Sequence, residues 1–130
     1  MFPNEGMVGK FKMQMYRGVR KESEHLHEKF ASDPGDYGCG EYWTDDPKFA
    51  TVYGDVISKE IELDNVYCIP REQVSVLIEE YQTCKMELGK EHRLKGAMAL
   101  TKMFKAKGYS AVLTTNYESP DVMGLCIFKP

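Results

Sequence analysis

The side chains able to do chemistry are gathered in a few short stretches. Tyr16-Arg17-Gly18 puts an arginine at the end of an alternating run in which Phe11, Met13 and Met15 share one face. By parity Arg17 continues that apolar face, where an unpaired charge is costly, so it needs a protein carboxylate or a ligand anion. The stretch from Gly38 to Gly54 packs the single Trp, Tyr42, Tyr53, Glu41 and the hydroxyl of Thr44 behind a Gly-x-Gly entry. Aromatics on both sides of a turn support a site there, though the residue types alone do not name one. Asp45 and Asp46 argue against a phosphate cradle there, because two carboxylates already occupy the favourable field of a helix N-terminus. A pyrophosphate would have to be met elsewhere, by Arg17.

Other chemistry is thinly supported. His25 and His27 lie two apart on a helix-like segment and point to different faces, so metal ligation is not expected. The four cysteines, Cys39, Cys68, Cys84 and Cys126, form no C-x-x-C pair. Cys39 between glycines could be an exposed nucleophile with His92 as its base, but nothing local fixes that pairing, and a structural thiol is the better reading. Lys85, Lys90, Arg93, Lys95, Lys102, Lys105 and Lys107 against Glu87 and Glu91 make a basic stripe. It reads as a solvated helix face before it reads as a site for an acidic partner or nucleic acid.

The elements that must position these groups follow from periodicity. Residues Met1 to Gly9 read as a flexible lead-in, and 10–130 as one domain. Lys10 to Arg17 alternates as a half-buried strand ended by Gly18, and Lys21 to Phe30 reads as a short helix. Ala31 to Gly40 is expected as loop. Asp46 is a good N-cap and Pro47 suits the first helical position, with Phe49, Ala50 and Tyr53 at helical spacing and Gly54 as the stop. Val56 to Leu63 alternates again, Asp64-Asn65 is expected to turn the chain, and Val66 to Ile69 to pair as another strand. Val74, Leu77, Ile78 and Tyr81 form a helical stripe. Ala97, Leu100 and Phe104 form a second one, closed by Gly108. Tyr109 to Thr114 and Val122 to Phe128 are expected as an antiparallel pair around a turn at Asn116 to Pro120. The class is α+β.

Bulk properties fit that class. A chain of 130 residues with 42% apolar and 28% charged content can bury a core as one domain. A formal charge of −3 argues against a dedicated nucleic-acid binder. No apolar run has the length of a membrane span and no signal-peptide core opens the chain, so a cytoplasmic setting without a membrane partner is expected.

Taken in order, these motifs resemble the ADP-ribosyltransferase superfamily. The features are Tyr16-Arg17-Gly18, the Gly-x-Gly-Glu-Tyr-Trp-Thr-Asp-Asp segment (Gly38 to Asp46) leading to a helix with Ala50 and Tyr53, the strand from Ser58 to Leu63, Lys107-Gly108-Tyr109-Ser110-Ala111-Val112, and the end Ile127-Phe128-Lys129-Pro130. The resemblance covers nearly the whole chain and is similar to small phage-encoded members, some acting as anti-CRISPR proteins.

It implies a split antiparallel sheet with flanking helices that grips NAD, the substrate, in a cleft. Arg17, flanked by Tyr16 and Gly18, would contact the dinucleotide. Tyr42, Trp43 and Thr44 would stand near the nicotinamide ribose, and Tyr53 would stack on the nicotinamide. A carboxylate would stabilise the ribosyl cation as nicotinamide leaves. The family's acid enters the last strand about four residues before its terminal Phe, and here that position is Gly124. Either the acid has moved, to Asp121 first, with Glu118 and Glu41 as the other candidates, or catalysis has been lost. The resemblance therefore implies an enzyme modifying a host macromolecule, more readily a protein than a nucleic acid, to disable a host defence. Its alternative is an inactive relative that binds and blocks a host protein. An unrelated α+β interaction module is a third reading.

Overall fold

The computed structural model describes residues 1–19, 33–35, 38–51, 54–82, 86–115 and 122–128. Among the described residues six strands and three helices follow in the order β1 (Val8–Val19), β2 (Asp33–Gly35), β3 (Gly38–Thr44), α1 (Pro47–Ala50), β4 (Asp55–Ile69), α2 (Arg71–Tyr81), a short 3-10 turn (Met86–Leu88), α3 (Lys90–Ala106), β5 (Ala111–Thr115) and β6 (Met123–Phe128). The sheet order is β1-β4-β5-β6-β3-β2, and β3 also pairs with β1, so five strands close into a barrel. β2 takes the part of the β3 edge that β1 leaves open, pairing Asp33 with Gly40 and Gly35 with Gly38.

The chain is thus α+β in one domain, but its sheet is neither split nor wholly antiparallel. It closes where Tyr16 faces Thr44. β4 and β5 run parallel, with Val66 opposite Ala111 and Ile69 opposite Thr114. The parallel pair follows from the connection: α2 and α3 lie between the two strands, and a parallel neighbour needs such a crossover. β5 and β6 pair antiparallel, as their spacing predicted. The predicted helix over Lys21 to Phe30 and turn over Asn116 to Pro120 lie outside the described residues.

Side-chain alternation sorts the core into two layers. Phe11, Met15, Trp43, Ile61, Val66, Cys68, Ala111, Leu113 and Leu125 fill the barrel. Ile69, Leu100, Phe104, Val112, Cys126 and Phe128 form a second cluster on the outer face, joined by Tyr42, Tyr67, Val74, Leu77 and Tyr81. There Phe104 stacks on Phe128 with centroids 5.9 Å apart, and Tyr67 on Tyr109 at 4.8 Å. α2 and α3 supply this layer through the two stripes read from the sequence, and Gly108, at φ 87°, closes α3 in the left-handed region that favours glycine.

Three local expectations change. Gly38 to Gly40 is strand, not loop: a Cβ on Gly40 would sit 2.1 Å from the Ile127 carbonyl oxygen, so this glycine serves close approach to β6. Asp64-Asn65 does not turn the chain back. Asn65 takes a left-handed φ of 58° within one long β4, switching the buried parity from Ile61 to Val66 and Cys68. The lead-in is bonded to the barrel: the Gly6 amide donates to the Cys68 carbonyl at 2.7 Å, the Cys68 amide to the Met7 carbonyl at 3.0 Å, and Glu5 accepts from the first amide of α2, that of Arg71.

Candidate functional site

The motif-bearing strands come together at one mouth of the barrel. Tyr16, near the end of β1, pairs with Thr44 at the end of β3, and Thr44 pairs with Gly124 near the start of β6. Extending the row in both directions gives Ser58, Tyr16, Thr44, Gly124 and Thr114 as successive neighbours on five strands. Directly paired residues project to the same side of a sheet, so four hydroxyl-bearing side chains share the outer face, interrupted by Gly124. Gly124 itself is buried, as are Thr44 and Thr114 on either side of it, so this part of the row is covered. The sequence reading singled out Tyr16, Thr44 and Gly124. It missed Thr114 and Ser58, whose only sequence signal is a hydroxyl residue at the end of an apolar strand and on the polar face of another.

Each hydroxyl has a local role. Thr44 is 6% exposed, and its Oγ1 accepts from the Asp46 amide at 3.2 Å. A hydroxyl that accepts once still carries its own proton to donate. Thr114 is fully buried and donates to the Gly124 carbonyl at 3.4 Å. Asp45 accepts from the Met123 amide at 2.8 Å, so the carboxylate after β3 clasps the start of β6 beside the residue where the resemblance would place its acid. Asp46 caps α1 by accepting from the Lys48 amide at 2.9 Å, with Pro47 first in the helix, as the sequence predicted. The helix is one turn long, and Tyr53 lies outside the described residues.

Of the other predicted residues, Tyr42 lies on this outer face two positions before Thr44, whereas Arg17 and Trp43 do not. Arg17 follows Tyr16 by one position and pairs with Ile57, so it belongs to the other parity, at the point where β1 passes beyond its pairing with β3. It is half-buried and makes an interaction with its surroundings. Gly18 pairs with Val56 further along the same arm. Tyr42 and Trp43 straddle the sheet: Tyr42 joins the helix-covered outer layer, whereas Trp43 fills the barrel. The Trp43 indole N–H donates to Glu41 at 3.1 Å, which ties that exposed carboxylate to a structural partner. Asp121 and Glu118 lie outside the described residues, just before β6, and so do His25 and His27.

Two further features lie apart from the mouth. Cys39 is 9% exposed, not an open nucleophile, and its amide donates to Thr101 Oγ1 at 2.7 Å. His92 is engaged by Gln82 at 2.7 Å. Cys39, Leu94, Met98, Thr101, Lys102, Lys105 and Ala106 line a cavity of about 650 Å³ along α3. Among the described residues no helix is long and apolar enough to cross a membrane, and no group of three His, Cys, Asp or Glu gathers to hold a metal ion.

Fold and mouth together define a small mixed α+β domain built on a closed five-stranded barrel. No protein-family model, curated protein or solved structure matches the chain.

Proposed function

We propose that the barrel mouth binds NAD and that the chain transfers ADP-ribose from it to a host macromolecule. The observation that carries this reading is the Tyr16–Thr44–Gly124 row, which gathers the ends of the three strands that bear the resembling motifs. The chemistry needs an anion contact, a hydroxyl for the ribose and a carboxylate for the developing cation. Arg17 at the rim, the Thr44 hydroxyl and an acid from Asp121 or Glu118, on the chain entering β6, are the groups proposed for those roles. Because Arg17 has the opposite parity to Thr44, its contact would come over the rim of the barrel.

One observation favours a second reading, in which the domain keeps this architecture, has lost turnover and acts by binding and blocking a host protein. Gly124 offers no carboxylate in the row, and Asp45, the acid that reaches the start of β6, is spent on the Met123 amide.

Incubation with labelled NAD and host lysate separates the two. The enzyme reading expects transferred label and free nicotinamide, lost in Arg17→Ala and reduced at least about a hundredfold in whichever of Asp121→Asn and Glu118→Gln removes the acid. Absence of both label and an NAD-dependent thermal shift would sink it. A thermal shift with NAD but no turnover, together with one host protein retained in stoichiometric amount, supports the blocking reading.

A further inference from the structure

The first part of β4 extends past the barrel as an arm. β1 covers one edge of it, from Val19 opposite Asp55 to Lys12 opposite Glu62. β5 occupies the other edge only over Val66–Ile69. Among the described residues no strand pairs with that second edge over 55–60, and these six residues are exposed on both faces. Two of them are large and apolar, Val56 at 37% and Ile57 at 47% exposure. An unpaired edge bearing apolar side chains is a template for another strand.

The charges select the occupant. A second copy of the same edge, added antiparallel about a two-fold axis through Ile57, pairs Asp55 with the partner's Lys59, Val56 with the partner's Ser58, and Ile57 with the partner's Ile57. Symmetry repeats the Asp55–Lys59 pair. Moving the axis by one residue, to Ser58, instead sets Val56 against Glu60 and Asp55 against Ile61, losing both charge pairs. Among the described residues neither Asp55 nor Lys59 is engaged in an ion pair, whereas Glu60 already faces Lys12 at 3.9 Å. A lysine on an edge ordinarily deters pairing. Here an aspartate four residues away converts it into a partner in this one register.

We infer that the chain forms a two-fold dimer through the β4 edge, centred on Ile57, joining the two sheets into one. The interface is isologous, with one patch serving both sides. It shares Ser58 with the mouth row but uses neither Thr44 nor the acids before β6, so the two readings fail separately.

Sedimentation equilibrium over the micromolar range tests it. The wild-type chain is expected to dimerise. Asp55→Lys and Lys59→Asp each place like charges opposite one another twice, and each weakens association by roughly tenfold or more. The double substitution Asp55→Lys/Lys59→Asp restores the dimer. Mixing the two single variants restores it as a heterodimer, because each supplies the sign that the other lacks. These exposed positions leave the fold intact, which circular-dichroism melts of each variant check. A wild-type chain that stays monomeric overturns the proposal, as does a dimer indifferent to the single reversals or one that the double swap fails to rescue.

Discussion

At the scale of single residues, Cys68 and Tyr67 sit side by side in β4 with opposite orientations, one into the barrel and one toward the helices. Burial pushes the Cys68 thiol up from 9.0 to about 11, and the nearby Glu5 carboxylate adds to the effect. Tyr67 is raised from 10.0 by burial first, then by Tyr109 and Cys68. In both cases the native chain keeps a proton that the unfolded chain has released, so stability is full below the unfolded value and falls as pH rises. For Cys68 the loss spans pH 9 to about 11 and amounts to roughly 2–3 kcal/mol. Urea midpoints measured across that window should fall, and Cys68→Ala should flatten the part that begins at 9 while leaving the later contribution of Tyr67. The same burial keeps Cys68 unreactive toward thiol reagents in the native state, because the thiolate is the nucleophile.

At the scale of elements, β4 turns on Asn65. A left-handed φ of 58° is tolerable for asparagine and costs about 1–2 kcal/mol for most side chains, so Asn65→Val should lower stability by that amount while Asn65→Gly leaves it nearly unchanged. Thermal melts of the two variants check this. That residue also marks how far the sequence could be read. Alternation from Phe11 to Met15, the stripe Ala97-Leu100-Phe104 and the stop at Gly108 were legible because each depends on neighbours within a turn or two. Asp64-Asn65 looked like a reversal because the composition of a bulge and of a turn is the same; only the pairing of β1 on both sides of it reveals one continuous strand. Gly40 reads locally as loop because its reason, the carbonyl of Ile127, lies on a strand 87 positions later. Without that distant partner the local sequence does not show the parity that sends Trp43 inward and Tyr42 outward. Thr44 and Tyr16 stand in the sequence as residues of separate motifs; their direct pairing, and the place of Gly124 beside them, belong to register, which no local pattern encodes.

At the scale of the whole molecule, the barrel has seams of very unequal strength. β1 is laddered to β4 along its whole length, from Val8 to Val19, whereas β1 meets β3 only where Tyr16 faces Thr44. Local opening requires fewer broken contacts at the weak seam, so amides around Thr44 should exchange with deuterium well before those of Met13 and Ile61. Uniform protection across both seams would contradict this. The mouth proposed for NAD lies on that weak seam, where a ligand could prise the two strands apart at little cost. The same wiring has a consequence for synthesis. β3 leans mainly on β6, whose first residue is made 79 positions after the last of β3. A growing chain that has produced β1, β3 and β4 holds Trp43 without Leu125 to pack on and an unfilled β3 edge where β6 will dock. The unfinished chain must therefore pass through an interval in which its most adhesive surface is bare. Stalled nascent chains ending before β6 should stay sensitive to protease and bind chaperones, and those carrying it clear of the ribosome should not.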